Sequence, residues 1–420
     1  MLSLICLFSL AIQGKPDVSI RLSPVSLSSS DYQDLDAIGK AIGSARIVQL
    51  GEQTHGDGTS FEVKVRLVKY LHEKLGFNVL VWESGMIECE SMNEGLNSNR
   101  PIVEVARSAV FPHWSNSKES IGVFEYARQS LKTDRPLRMS GFDIQSSSAK
   151  GNLVIMDVAK RLQAIEGLAT SKDLFKRGDD LINLKPSPEK ESSLLEFAFQ
   201  LNKFFRSNLS IISKSIGKAS TAEIDQLLKG FVAYREMMAS FARYQKSQTG
   251  AEFQIGYNIR EAANATNIEW LAKNKYKGEK LIVWAHNSHV SHQGADGHFR
   301  KTTQGEVILD STGRIVKQKF GSQLFSIGFV ASGGQWSWMG QPPISFIPSE
   351  NGSLEEMMSR SGFDIGFLNL TLPQKNPDDP VNKPILGYIN RQNGQLDSLV
   401  WPKIFDGLIF IRNMKPRTNL

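Results

Sequence analysis

The sequence predicts an α/β fold, a mostly parallel β-sheet core flanked by helices, interrupted by an all-helical insertion subdomain. Three observations carry this. Short apolar runs ending in polar residues recur along the 420-residue chain, and several are continuous rather than alternating, as in strands buried on both faces of a parallel sheet. Two of these runs bracket an amphipathic stretch. Residues 151–275 switch to helical spacing. At about 100–200 residues per domain, this length suits one large domain with an insertion, or two domains.

The runs are Ala45–Leu50, Asn78–Trp82, Leu137–Phe142, Leu281–Trp284, Leu324–Val330, Ile365–Leu368 and Gly407–Ile411. Between the first two, Glu62–Leu75 carries Val63, Leu67, Tyr70 and Leu71 on one face and stops at Gly76, so Ala45–Trp82 reads as a β-α-β unit. In the insertion, Ser220-Thr-Ala-Glu223 is a capping box opening a helix with Ile224, Leu227, Leu228, Phe231 and Met238 on one face. Leu194, Phe197, Leu201, Phe204 and Phe205 repeat that spacing, and Asn152–Ile165 and Phe253–Ala272 also read as helices. Lys185–Lys190 and Ser215–Ala219 are the expected loops, and residues 293–319 a polar loop or hairpin. The α/β core is thus expected over 30–150 and 276–420, around an insertion at 151–275.

Composition excludes several partners. Lys and Arg number 49 against 43 Asp and Glu, a net +6, but the charges are mixed. No basic helix, RNP-like motif or zinc finger appears, so nucleic acid is not an expected partner. Cys6 and Cys89 are too few for a disulfide framework. Met1–Ile12 is too short to span a bilayer but resembles the apolar part of a secretory signal, with Ala11–Gly14 as its cleavage region. It lacks a leading Lys or Arg. If residues 1–14 are such a signal peptide, the protein is secreted or periplasmic; otherwise it is cytoplasmic. No later segment is long and apolar enough for an integral membrane helix.

Ligands of open α/β sheets bind beyond the carboxyl ends of the strands. Four expected strands end in titratable groups there: Gly51-Glu52-Gln-Thr-His55, Val81-Trp82-Glu83, Gly141-Phe142-Asp143 and Trp284-Ala-His286-Asn-Ser-His289. Three of the chain's seven histidines fall at these ends, which argues for one shared crevice. G-x-S-x-G, H-E-x-x-H, Walker A and G-x-G-x-x-G sequences are all missing. What remains is imidazole and carboxylate. A neutral His oriented by a carboxylate can take a proton from water, and ester hydrolysis then needs only a donor or cation for the oxyanion.

The same segments resemble the erythromycin esterase family. The ordered set is Gly51-Glu52-x-x-His55, Lys64-x-Arg66, Gly76-Phe77, Glu83, Gly141-Phe142-Asp143, Arg260-Glu261 with Asn267 and Trp270, Trp284-Ala-His286-Asn-x-His289, Ser326-Ile-Gly-Phe329 and Phe405-Asp406-Gly-Leu-Ile-Phe410. The resemblance implies a hydrolase without metal or other cofactor that opens a macrolactone ester by general-base activation of water. His55 would be the base, with Glu52 and Glu83 orienting it or the water. Arg66 and His286, in the catalytic set, and His289 would bind substrate or stabilise the oxyanion, and Asp143 is a further substrate-binding candidate. Glu261 stands where an aspartate is usual, and the helical insertion is the least similar part.

Each assignment has a plainer alternative. Glu52 could simply pair with Arg66, Glu83 could cap a helix, and His286, His289 and Asp143 could be loop residues. Trp336 is a candidate substrate-binding residue and, with Trp338, could equally be core. His286, His289 and His292 at three-residue steps drift around a helix, so a common metal ion would need a loop geometry. His72 and His113 read as surface or packing residues. Two rival functions stay open: hydrolysis of another ester or modification of cell-surface polysaccharide, and metal or haem binding by the histidines.

Overall fold

All seven apolar runs become strands of one nine-stranded sheet. In the computed structural model they are β1 (Ile47–Leu50), β2 (Phe77–Gly85), β3 (Arg138–Asp143), β4 (Lys280–Trp284), β5 (Leu324–Trp336), β6 (Ile365–Asn369) and β7 (Gly407–Met414). The spatial order β7-β5-β1-β4-β2-β3 is parallel throughout. At one edge β6 pairs antiparallel with β7, and Ser23–Pro24 pairs antiparallel with β6. The residues described are 21–29, 31–147, 151–166, 168, 172–182, 188–292, 299–302, 305–372, 378–391, 394 and 396–420. The signal-like segment 1–14 lies outside them.

Burial on both faces explains the continuous apolar runs. Val48, Leu50, Leu80 and Trp82 enter one core, and their neighbours Ile47, Val79 and Val81 enter the other. Helices α1 (Gly58–Leu75) and Lys118–Ser130 cover the first face. Trp82 and Trp284 meet there at a centroid distance of 4.7 Å. Burying one such side chain removes about 150–250 Å² from water, worth about 4–6 kcal/mol at about 25 cal/mol per Å². The chain leaves α1 through Gly76 in the left-handed region (φ 72°), the expected glycine stop.

The insertion comprises α2 (Gly151–Gln163), α3 (Lys172–Ile182), α4 (Pro188–Ser207), α5 (Leu209–Ser247) and α6 (Gly250–Trp270). It has its own core, including Ile155, Leu162, Leu201, Phe205 and Leu228. Helix α6 also serves the sheet, because Ala265 and Ile268 pack in the second core and Asn267 donates to the Phe142 carbonyl at 2.9 Å. The expected loop at Ser215–Ala219 shrinks to one residue. Gly217 alone is non-helical (φ 80°, ψ 162°) and kinks α5, so Ser220 lies within the helix instead of capping it. Of the expected Lys185–Lys190 loop, residues 185–187 fall outside the described residues, and Pro188–Lys190 open α4 instead. Within 293–319, Phe299–Thr302 and Gly305–Ile308 form a hairpin, and Thr312–Phe320 is a helix capped by Ser311. Among the described residues no helix is long and apolar enough to cross a membrane.

Candidate active site

Parallel register sets the rim of the site. Leu50 of β1 pairs with Trp284 of β4, Trp284 with Trp82 of β2, and Trp82 with Gly141 of β3. Glu52, His286, Glu83 and Asp143 follow these residues and leave the sheet at its carboxyl edge together.

Glu52 is the first node. Its Oε1 accepts from His55 Nδ1–H at 3.0 Å and from Trp114 Nε1–H at 2.9 Å, and its Oε2 from the Lys64 ammonium at 2.6 Å. Lys64 also donates to the Ala285 carbonyl at 3.2 Å and lies 4.4 Å from the centre of the Trp284 ring. The Glu52 and Lys64 side chains are 0% exposed, whereas His55 keeps 19%. Burial lowers the Lys64 pKa to about 8, against the pull of Glu52. With Nδ1 held by a carboxylate, the His55 lone pair sits on Nε2. That nitrogen has no protein partner among the described residues.

The loop carrying these groups is tightly fixed. Asp57 Oδ2 accepts from the backbone N–H of Gln53 at 3.1 Å and of Thr54 at 3.0 Å, and Oδ1 accepts from the Thr54 hydroxyl at 2.6 Å. Burial pushes the Asp57 pKa up to about 7 despite these bonds. Gly56 must be glycine, because a Cβ there would stand 2.4 Å from the Ser337 carbonyl oxygen.

Glu83 is the second node. Its Oε1 contacts His289 Nε2 at 3.1 Å and accepts from Arg260 at 3.2 Å, and its Oε2 accepts from the His286 backbone N–H at 2.9 Å. On the other side of His289, Nδ1 lies 2.8 Å from Glu261 Oε1. Glu261 Oε2 is anchored by the Thr312 N–H at 2.8 Å and hydroxyl at 2.9 Å. Burial alone would lower the His289 pKa, but Glu261 and Glu83 raise it well above the ordinary imidazole value. Conversely, burial alone would raise Glu83, and His289, His55 and Arg260 hold it well below the carboxylate range.

The erythromycin esterase family model matches residues 72–414. The chain belongs to the erythromycin esterase family. The match starts beyond the Glu52–His55 loop, which is within reach of broader likenesses. The chain is 24% identical over 412 residues to YbfO of Bacillus subtilis, a proposed hydrolase, covering 94% of this chain and 89% of that one. It is 24% identical to erythromycin esterase type II of Escherichia coli over 64% of this chain and 66% of the other. Among solved structures, a Bacillus cereus protein superposes with a TM-score of 0.71 at 20% identity, covering 95% of this chain and 96% of that one. A mutant erythromycin esterase in its open conformation gives 0.69 at 16% identity, covering 94% and 97%. These last two likenesses speak for the fold.

Within this erythromycin esterase fold, the rim gathers Glu52, His55, Glu83, Asp143, His286 and His289, but not Arg66. Arg66 is a correction. It leaves the outer face of α1 and pairs with both carboxylate oxygens of Asp34, at 2.7 and 2.6 Å. The cation on Glu52 is Lys64, two residues earlier. Positions two apart on a helix differ by about 200°, so only one of them can face the crevice. The apolar stripe Leu67, Val68 and Leu71, at three, four and seven residues from Lys64, was the available signal.

His286 uses both ring nitrogens within the protein. Nε2–H donates to the Gln53 carbonyl at 2.8 Å and Nδ1 accepts from the Ser288 N–H at 3.1 Å. Burial and the nearby His55 and His289 push its pKa well down, so it is a neutral brace between two loops. Asp143 is occupied by Arg260, whose Nε donates to Oδ1 at 3.2 Å and whose Nη2 bonds Oδ2. This turns the expected substrate contact into support for the arginine on Glu83. Trp336 is buried in the first core, and Trp338, 6.4 Å from His55 by ring centres, is the indole nearer the base. His292 bonds the Ser326 hydroxyl at 2.9 Å, away from the other two histidines. No group of three or more His, Cys, Asp or Glu among the described residues is placed to hold a metal ion. His72 packs on Tyr126 as expected. His113 differs: it stacks on His55, centroids 5.1 Å apart and planes at 21°. Nothing in the spacing around Phe111-Pro-His113-Trp114 marks it, because the neighbour is brought in by tertiary packing.

Proposed function

We propose that this chain hydrolyses a carboxylic ester, with His55 as the general base that activates water. One observation carries the reading: Glu52 takes Nδ1 of His55 and leaves Nε2 without a protein partner among the described residues, on a part-exposed ring. Water at Nε2 gives up a proton as its oxygen bonds the ester carbonyl carbon, and the carbonyl π pair moves to oxygen. The tetrahedral intermediate then collapses. The C–O bond to the alkoxide breaks, and the imidazolium returns its proton to that oxygen. Glu52 stabilises the imidazolium between the two steps, and the Lys64 ammonium anchors its second oxygen. Glu83, His289 and Arg260 fix the adjacent wall. Family membership and the likeness to an erythromycin esterase favour a macrolactone as the ester, opened without loss of a fragment.

Mass spectrometry tests this directly. Incubation with macrolides, simple esters and acylated sugars should give, for one class, a product heavier by one water or split into acid and alcohol. His55→Ala should abolish it while leaving the circular dichroism unchanged. Near wild-type turnover by His55→Ala would sink the mechanism, and turnover of acylated sugars alone would move the substrate to polysaccharide.

A further inference from the structure

His113 is the imidazole beside the base that the reaction scheme above leaves idle. It sits in the short helix Pro112–Ser115, stacked on His55 and 4.8 Å by ring centres from Trp338. Its placement is firm. The next residue, Trp114, donates to the same Glu52 oxygen that holds His55, and Arg417 donates to the His113 carbonyl at 3.4 Å.

The ring itself is unpaired. Nδ1 is buried with no hydrogen-bond partner among the described residues, and Nε2 has none there either yet is not sealed from solvent on this half-buried residue. Buried N–H groups are rarely left unpaired, so the proton belongs on Nε2, facing outward beside His55. Such an N–H in a tightly packed histidine, with nothing to donate to, is what an oxyanion site requires before substrate arrives.

We propose that the Nε2–H of His113 donates a hydrogen bond to the oxyanion formed when His55-activated water adds to the ester. This rests on hydrolysis at His55. Burial first, then repulsion from a protonated His55, lowers the His113 pKa to about 3. The ring therefore remains a neutral donor at any pH where His55 can act as base, and it does not compete for the proton of water. As the carbonyl π pair moves onto oxygen, the hydrogen bond from this N–H strengthens. When the pair returns and the alkoxide leaves, the N–H keeps its hydrogen.

The test uses the full chain, p-nitrophenyl acetate and a 14-membered macrolactone. His113→Phe keeps the stack and removes the donor, and should lower kcat about 10²-fold with KM within about threefold. His113→Gln restores an N–H and should recover at least about tenfold of that loss. Neither variant should move the acidic limb of the pH–kcat/KM profile, because His113 does not titrate there. Full activity of His113→Phe, equal impairment of both variants, or a displaced acidic limb would overturn the proposal. If His113→Phe does not fold, His113→Met takes its place with the same expectations. If the wild type turns over neither ester, the hydrolase reading falls and takes this inference with it. If His55→Ala is inactive but His113→Phe is not, only this inference falls.

Discussion

Two carboxylate–histidine pairs face each other across the rim, and they are put to opposite uses. In Glu52–His55 the imidazole meets one carboxylate, keeps 19% of its side-chain surface and leaves Nε2 without a partner among the described residues. In Glu83–His289 the imidazole is 6% exposed and lies between two carboxylates, Glu83 on Nε2 and Glu261 on Nδ1. The first arrangement can accept a proton and return it. The second has its pKa raised well above the ordinary imidazole value by its two carboxylates, so His289 favours the charged form and helps hold Glu83 below the carboxylate range. Residue type does not separate base from cation here. The number of carboxylates per ring and the access of water do.

The comparison breaks most visibly at Glu52. Glu52→Gln removes the charge that stabilises the His55 imidazolium and offers its amide N–H to the wrong tautomer. A fall in kcat of about 10³- to 10⁴-fold is expected. The fold should survive, because Lys64, already lowered to about 8, answers the loss of its partner by giving up its proton. Steady-state kinetics and a thermal melt at pH 7.5 measure both. A variant within tenfold of wild type would mean that Glu52 does not orient the base.

Glu261 sharpens the same contrast from the other side. With Glu261→Gln, His289 keeps only Glu83, and its pKa drops toward the ordinary imidazole value. The sign follows from linkage. A histidine whose folded pKa is raised contributes stability that is complete below the unfolded pKa of about 6.5 and is lost as pH climbs through the folded value. The variant, with a smaller shift, has less of this stability to lose. At pH 6, where His289 is charged in both, kcat/KM should be similar but the variant should melt several degrees lower, and that gap should narrow as pH rises. By pH 8.5–9 the variant should have lost about tenfold in kcat/KM relative to wild type. Parallel profiles across pH 6–9 would show that Glu261 does not set the charge of His289.

The strands and the acid–histidine ends were readable from sequence because both follow from local rules. Continuous apolar runs such as Val79–Trp82 have few other homes than a doubly covered sheet, and a Gly51-Glu52-x-x-His55 turn after such a run puts polar groups at its carboxyl edge. What escaped depends on contacts far apart in the chain. Glu52 meets Trp114 across 62 residues, and Glu83 meets Arg260 across 177. No periodicity encodes such distances. His113 was unreadable for that reason. The break expected at Ser215–Ala219 does fall there, at Gly217, but it is one residue long and leaves Ser220 inside the following helical turn instead of at its cap. Lys64 was legible in principle, as a lysine set in an apolar stripe demands a buried partner.

Lys64 and Arg66 give the last and smallest pair of tests. Lys64→Arg keeps the cation but abolishes its ionisation near pH 8, so an alkaline limb that depends on Lys64 should move upward, with activity at pH 7 within about threefold. An unmoved limb would clear Lys64 of that role. Arg66→Ala should leave kcat and KM unchanged at every pH. Its guanidinium binds Asp34 on the far side of α1, with side-chain exposures of 11% and 16%, and Asp34 is held below the usual carboxylate range: burial raises it and the Arg66 bonds more than offset that. The stability lost should be about 1 kcal/mol, and it should vanish as pH falls through the depressed Asp34 pKa, where the protonated carboxyl no longer rewards the arginine. A melt series of Arg66→Ala against wild type from pH 7 down to pH 3 reads this out. A fall in kcat instead of in melting temperature would return Arg66 to the site and remove the reason for preferring Lys64.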